Sequence, residues 1–184
     1  MSYTALDRLI ARMRFRAAYP HITPGSKVCD FGCGLHAAFL DFASDKIGEG
    51  VGVDDQIESG MLGRWKCLRS DLSSPLPLEA ESFNHVTMLA VLEHLPQPEP
   101  ILREAYRILK AGGSLILTWP AAMVDPILNV MHMARLISSE MESQEHQKRI
   151  PVATLSAMLR SIGFRGYEHR RFEFGLNNLL VASK

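Results

Sequence analysis

Three aspartates stand at the ends of three short apolar runs, and the first is followed by a glycine turn. Asp30 precedes Gly32-Cys33-Gly34, Asp54 and Asp55 close the run 50–54, and Asp71 follows 67–69. Glycines in a strand-to-helix turn let backbone approach a ligand closely, because no Cβ stands in the way. A carboxylate at the end of the next strand can accept hydrogen bonds from both hydroxyls of a ribose, and Asp54 lies 22 positions after Gly32. Asp71 could accept from an exocyclic amine such as that of adenine. Three strand ends, each with an acid, outline a nucleoside site.

Two kinds of nucleoside ligand compete for it. The stretch Gly32-Cys33-Gly34-Leu35-His36-Ala37 satisfies the Gly-x-Gly-x-x-Gly/Ala dinucleotide fingerprint with an acid about 20 residues on. Asp30 argues against that reading. A dinucleotide presents a doubly anionic pyrophosphate to the helix amino terminus, and a carboxylate two residues before the first glycine would repel it. An acid there suits a ligand carrying a cation, such as the ammonium of a methionine moiety.

The elements that must position these residues are legible. Residues 4–18 place Leu6, Leu9, Ile10, Met13 and Ala17 at helical spacing. Arg8, Arg12 and Arg16 line another face of that helix. A solvated face accounts for the arginines; an anion patch or an organelle-targeting peptide are the alternatives, the latter weakened by Asp7 and by the scarcity of serine. After Pro20, Pro24 and Gly25 come strand-like runs at 27–31, 50–54, 67–69, the first half of 83–92, and 114–119, with helices expected at 36–42 and 99–110. Gly112-Gly113 is expected to end the second of these helices. A helix over 123–137, a polar stretch over 138–149, a helix over 152–162 ended by Gly163, and a terminal hairpin turning near Gly175 complete the chain. Strands alternating with helices predict an open, doubly wound, mostly parallel α/β sheet with helices on both faces. No internal boundary is visible, so residues 1–184 read as one domain, 1–25 being its amino-terminal helix.

Composition narrows the class further. Twenty Lys plus Arg balance twenty Asp plus Glu over 184 residues, leaving no global field to draw in nucleic acid or an anionic membrane. No apolar run reaches the length of a membrane span, and the amino terminus lacks the pattern of a secretory signal. Three cysteines do not make a disulfide framework, and Cys29 and Cys33 are too far apart for a zinc knuckle, so no metal is expected. The expectation is a reduced, cytoplasmic protein.

Taken together, these motifs resemble the class I S-adenosylmethionine-dependent methyltransferases of the small type 11 group. Asp30-x-Gly32-x-Gly34 resembles the family's first motif, Gly52-Val53-Asp54 its ribose-binding acid and Ser70-Asp71-Leu72 its adenine-contacting acid. Residues 83–95, ending Val91-Leu92-Glu93-His94-Leu95, resemble the fourth-strand motif. Residues 103–119, containing Leu109-Lys110-Ala111-Gly112-Gly113, resemble the stretch leading to the fifth strand. The resemblance implies a three-layer α/β/α fold around a seven-stranded sheet with an antiparallel last strand. It implies S-adenosyl-L-methionine as cofactor, held by Asp30, Gly32, Cys33, Gly34, Asp54, Asp55, Asp71, Leu72 and Leu89. Two positions depart from the pattern: His36 stands where a third glycine is usual, and Asn84 where an acid is usual.

Methyl transfer from a sulfonium chiefly requires alignment, with a general base only for a protonated acceptor of high pKa. His94 is the candidate base, against the alternative that Glu93 and His94 merely begin the next segment. Residues 121–150 are expected to cover the acceptor site, with Met131 and Met133 as an apolar lid and His132 and His146 within possible reach; the 123–137 helix could equally pack on the sheet or on a second subunit, making a homodimer. The expected partner is a small-molecule acceptor, with no nucleic acid. A cofactor-binding scaffold without turnover, motivated by His36, is the second reading, and a nicotinamide-dependent oxidoreductase the third.

Overall fold

The computed structural model describes residues 5–73, 75–121 and 150–184. Within them one sheet runs in the order β3-β4-β2-β1-β5-β6-β8-β7. Its strands are β1 (Ser26–Phe31), β2 (Ile47–Asp54), β3 (Gly60–Leu62), β4 (Trp65–Arg69), β5 (Phe83–Leu89), β6 (Leu109–Pro120), β7 (Arg165–Phe172) and β8 (Asn177–Ser183). Strands β4, β2, β1, β5 and β6 are mutually parallel, and β8 runs antiparallel to both β6 and β7. The expected seven-stranded sheet is therefore present, with its last strand reversed. The eighth strand is the short β3, a three-residue edge pairing with β4 that no apolar alternation announces in the sequence.

Alternation along each strand divides the core between two faces. Phe31, Val53, Met88, Leu117 and Trp119 point to one face, where α3 (Glu99–Ile108) and α4 (Val152–Ile162) cover them with Ile101, Leu102, Leu155 and Leu159. Val28, Ile116 and Leu179 point to the other, where Phe39 and Leu40 of α2 (Ala38–Phe42) join them, and α1 (Ala5–Ala18) adds Ala18. The buried Trp65 belongs to this second face and donates its Nε1–H to Asp41 Oδ1 at 2.6 Å, tying β4 to α2. Arg8, Arg12 and Arg16 are exposed, as a solvated helix face requires.

Two elements differ from expectation. Helix α3 ends at Ile108, with Leu109 already extended, so Gly112-Gly113 does not cap it. The pair lies inside β6, where Gly112 (φ +76°) donates to Lys184 O and Gly113 O accepts from Lys184 N. The glycines thus lock the chain's last residue to the sheet. The first crossover helix starts at Ala38 rather than His36, because Ala37 adopts a left-handed conformation (φ +46°) that delays it. The expected helix at 123–137 and the polar stretch at 138–149, with any lid or dimer contact they make, lie outside the described residues.

At the amino ends of the central strands His85 links three segments. Its Nε2 accepts from the Thr23 backbone N–H at 3.1 Å and lies 2.8 Å from Thr23 Oγ1, while Nδ1 lies 2.7 Å from Ser114 Oγ. A backbone N–H can only donate, so Nε2 carries the lone pair and Nδ1 the proton. Burial, with smaller contributions from His21 and Lys46, pushes the pKa of His85 down to about 4. The unfolded chain binds this proton near pH 6.5 and the folded one does not, so stability falls as pH drops from about 6.5 to about 4, by on the order of 3 kcal/mol. Urea unfolding at pH 7.0 and 4.5 should therefore show a larger acid loss in the native sequence than in His85→Gln; equal losses in the two proteins would remove the linkage.

Candidate active site

The carboxyl ends of β1, β2, β4 and β5 come together at one edge of the sheet, and the chain order reverses across β1. In a doubly wound sheet this is where ligands bind. Gly32 N and Cys33 N both donate to Val53 O, at 2.7 and 3.2 Å, so the turn after β1 is pinned to the end of β2. Gly34 N donates to Asp54 Oδ2 at 2.8 Å, and Gln56 N to Asp54 Oδ1 at 3.0 Å. Each carboxylate oxygen keeps a lone pair for a further donor such as a ribose hydroxyl.

The glycines have distinct reasons to be there. A Cβ on Gly32 would lie 2.3 Å from Val91 Cγ2, so only glycine lets the segment after β5 close onto the turn. Gly34 (φ +67°) has no atom within 4 Å of a Cβ position, which leaves its surface open to a ligand. Cys33 turns the other way: its Sγ packs where a Cβ on Gly52 would come within 2.7 Å, and burial raises the thiol pKa. Its side chain props the turn from below, and only its backbone faces the open side.

Asp30 is buried, 2% exposed, on the α1 side of β1. Thr87, its register partner on β5, donates Oγ1–H to Asp30 Oδ1 at 2.6 Å. Burial dominates and lifts the carboxyl to about pH 7, with the Thr87 hydrogen bond opposing and the charge of Asp54 adding to the rise. A desolvated carboxyl with a single side-chain donor among the described residues is poised to take up a cation.

The remaining candidates are arranged more loosely. Asp55 is exposed beside Asp54, and Leu89 is half-buried at the end of β5. Asp71 is exposed and accepts from Ser73 N and Oγ, at 3.0 and 2.7 Å, which lowers its pKa. Leu72 takes a left-handed conformation (φ +60°) that sends its side chain into the core, and its N–H goes to Ser70 Oγ. His94 lies in the single helical turn Leu92–His94 beyond β5. Packing around its ring, and secondarily the Arg14 guanidinium, hold it below its ordinary pKa. The His36 ring is exposed. Asn84 Oδ1 accepts from Lys27 N at 3.0 Å, at the opposite end of the sheet, so the departure there serves strand entry.

That opposite end also holds a cavity of about 430 Å³, between Lys27, Glu49, Arg64, Lys66 and Phe83. Lys27 is paired with Glu49 at 2.9 Å, Arg64 donates to Ile47 O, and the amino ends of parallel strands are the wrong side for a ligand of this fold. No described helix is long and apolar enough to cross a membrane. Among the described residues no group of three metal-ligating side chains comes together.

A family profile described as "Methyltransferase domain" matches residues 3–169. The chain belongs to the class I S-adenosylmethionine-dependent methyltransferase family. Among curated proteins, the ubiquinone biosynthesis O-methyltransferase of Xanthomonas campestris pv. campestris is 32% identical over 152 residues, covering 75% of this chain and 62% of its own. That of Pseudomonas fluorescens is 29% identical over 156 residues, covering 76% and 64%. The chain thus spans less than two thirds of these relatives' length. Among solved structures, a methyltransferase of Archaeoglobus fulgidus superposes with a TM-score of 0.74 at 19% identity, covering 96% of this chain and 94% of its own. A possible histamine N-methyltransferase of Thermotoga maritima gives 0.72 at 19% identity, covering 96% and 90%. These last two likenesses establish the fold.

The state of Asp30 gives a direct test. Its folded pKa lies above its unfolded value, so its contribution to stability is lost as pH rises through about 7. Asp30→Asn keeps an oxygen for Thr87 and should stabilise the ligand-free protein at pH 8 by roughly 2–4 kcal/mol. The same change should weaken binding of S-adenosylhomocysteine. Thermal unfolding and calorimetry on one pair of samples measure both, and a destabilised variant would contradict the account of a carboxyl in want of a cation.

Proposed function

We propose that this protein transfers a methyl group from S-adenosyl-L-methionine to a small-molecule acceptor, in the cytoplasm. The observation that carries the reading is the pairing of an open glycine turn with two carboxyls of different character: Asp54 fixed by two backbone donors, Asp30 buried and short of a cation. The cytoplasmic part rests on the charge balance and on three buried, free cysteines.

The residues present fit such a ligand. Asp30 suits the ammonium of its methionine part, the backbone of Gly32, Cys33 and Gly34 its close approach, and Asp54 the ribose hydroxyls, with Asp55 beside it. Asp71 and the backbone at Leu72 flank the adenine end, and Leu89 adds an apolar surface at the end of β5. When bound, the ligand supplies an electrophilic methyl group on a sulfonium. The protein's own task is to hold the acceptor in line with that methyl and to keep water out, and proximity supplies most of the acceleration. His94, held in its neutral form by its surroundings, can take the proton an acceptor hydroxyl or amine must lose.

The scaffold reading rested on His36 obstructing the turn, and the exposure of that ring removes its motive. The nicotinamide reading required an anion beside Asp30, where the buried carboxyl opposes one.

Calorimetry should give S-adenosylhomocysteine binding that Asp54→Ala weakens by about tenfold or more. With labelled methyl donor and a small-metabolite extract, His94→Ala should lower turnover by on the order of a hundredfold while binding is retained. Binding without any labelled product would return the scaffold reading, and binding of a nicotinamide dinucleotide in its place would return the oxidoreductase.

A further inference from the structure

Among the described residues six buried side-chain polar atoms have no hydrogen-bond partner, and four of them lie toward the carboxyl edge of the sheet on the α1 side: Arg14 Nε, Thr118 Oγ1, Asn177 Oδ1 and Glu173 Oε1. Thr118 is fully buried and Asn177 is 5% exposed. A buried polar group left unpaired costs about 1–3 kcal/mol, and native proteins keep few of them, so four together require an explanation.

The fold places them side by side. In the β6–β8 register Thr118 pairs with Leu179 and Pro120 with Asn177. Leu179 belongs to the α1–α2 core, so alternation puts Thr118 and Asn177 on the α1 face as well. Arg170, the β7 partner of Leu179, donates Nη2–H to Ala17 O at 3.0 Å and thereby fixes the end of α1 over this strand pair. Arg14 lies three residues back along α1, about 4.5 Å nearer the carboxyl edge. Asn177 Nδ2 donates to Glu173 Oε2, and the Arg14 charge is felt by both Glu173 and His94. Yet among the described residues no ion pair joins Arg14 to Glu173. Arg14 Nε is a donor and the Asn177 and Glu173 oxygens are acceptors, and among the described residues no hydrogen bond joins them.

Resting on the methyl-transfer reading above, we propose that Arg14, Thr118, Asn177 and Glu173 form the acceptor subsite and that its ligand is a hydroxylated small molecule, an alcohol or phenol. A hydroxyl oxygen can accept from Arg14 Nε–H while its own hydrogen goes to Asn177 Oδ1 or Glu173 Oε1, so one group answers both sides. The Thr118 hydroxyl serves as either partner. A protonated amine offers no lone pair to Arg14 and meets a guanidinium in a desolvated setting, which disfavours it. The cluster approaches from the β6–β8 side, next to His94, so the acceptor oxygen would be fixed beside the group assigned to receive its proton.

Thr118→Val separates this role from a structural one. If the Thr118 hydroxyl serves a ligand, its isosteric removal leaves thermal stability unchanged or higher, because an unpaired buried hydroxyl is lost. The same change weakens phenol binding, read by ligand-observed NMR, by about tenfold, and Asn177→Leu does likewise. Benzylamine is the comparison probe, and each measurement is made with and without S-adenosylhomocysteine. Phenol binding that survives both substitutions, absent phenol binding in the native sequence, or preferred binding of benzylamine overturns the proposal. Failure to bind S-adenosylhomocysteine instead removes the donor reading, while the phenol arm still reports on the cluster.

Discussion

A carboxyl group buried in the middle of a sheet face sets the terms for the rest of this molecule. Asp30 has strands hydrogen-bonded on both sides, and among the described residues its one side-chain donor is Thr87. Burial strips solvent from its charge, and the charge of Asp54 discourages ionisation further. The turn that follows has to keep these two acids apart while leaving both available. It does so through backbone: Gly32 and Cys33 are pinned to Val53 O, and Gly34 is given to Asp54. Asp54 is thereby a fixed anion and Asp30 a reserve that a cation can claim. A ligand with hydroxyls at one end and an ammonium at the other satisfies both at once, and a dianionic one satisfies neither.

The same asymmetry extends across the sheet. On the α3–α4 face the central strands present Phe31, Val53, Met88, Leu117 and Trp119, an apolar surface whose role is packing. On the α1–α2 face the polar groups run in tiers. His85 with Ser114 lies at the amino end, Asp30 with Thr87 farther along, and Thr118 with Asn177 at the carboxyl edge. His85 is satisfied internally and Asp30 accepts from Thr87, whereas Thr118 Oγ1 and Asn177 Oδ1 at the carboxyl edge lack a partner among the described residues, as does Ser26 Oγ at the amino end. Helix α1, fastened by Arg170, lies over this face.

What the sequence made legible follows from which interactions are local. The strand-ending acids, the glycine turn and the parallel strands are written in short windows, so Asp30, Gly32, Gly34 and Asp54 could be placed before any coordinates. The boundaries that failed depended on distant partners. Gly112-Gly113 looks like a helix stop locally, but the carboxyl-terminal Lys184 pulls it into β6. Strand β3 exists because β4 offers an edge, not because residues 60–62 alternate. The sequence names Cys33 and Leu72 as cofactor-binding positions but does not orient their side chains, and distant partners do: Gly52 makes room for one beneath the turn and a left-handed backbone buries the other. Arg14, Thr118, Asn177 and Glu173 escaped notice because their only shared property is position. They come from α1, β6, β8 and the turn before β8, and no spacing rule joins them.

The backbone carries an independent record of the same geography. Six non-glycine residues among those described have positive φ: Ala37, Leu72, Glu81, Ala90, Glu173 and Phe174. Five follow the turn or strand ends at the carboxyl edge, after β1, β4, β5 and β7, and only Glu81 lies at the other. Each such conformation costs about 1–2 kcal/mol and persists only where the surrounding structure holds it. At Leu72 the cost is met by burying an apolar side chain. At Glu173 and Phe174 it is not, since Phe174 is fully exposed and Glu173 keeps an unpaired buried oxygen. The strain is offset in part by hydrogen bonds: Leu176 N donates to Glu173 O at 3.0 Å, Ala121 N to Leu176 O at 2.7 Å, and Asn177 Nδ2 to Glu173 Oε2. The turn carries Glu173 back to Asn177 and within the influence of the Arg14 charge, so the backbone strain holds in place the same acceptors on which the proposed acceptor subsite rests.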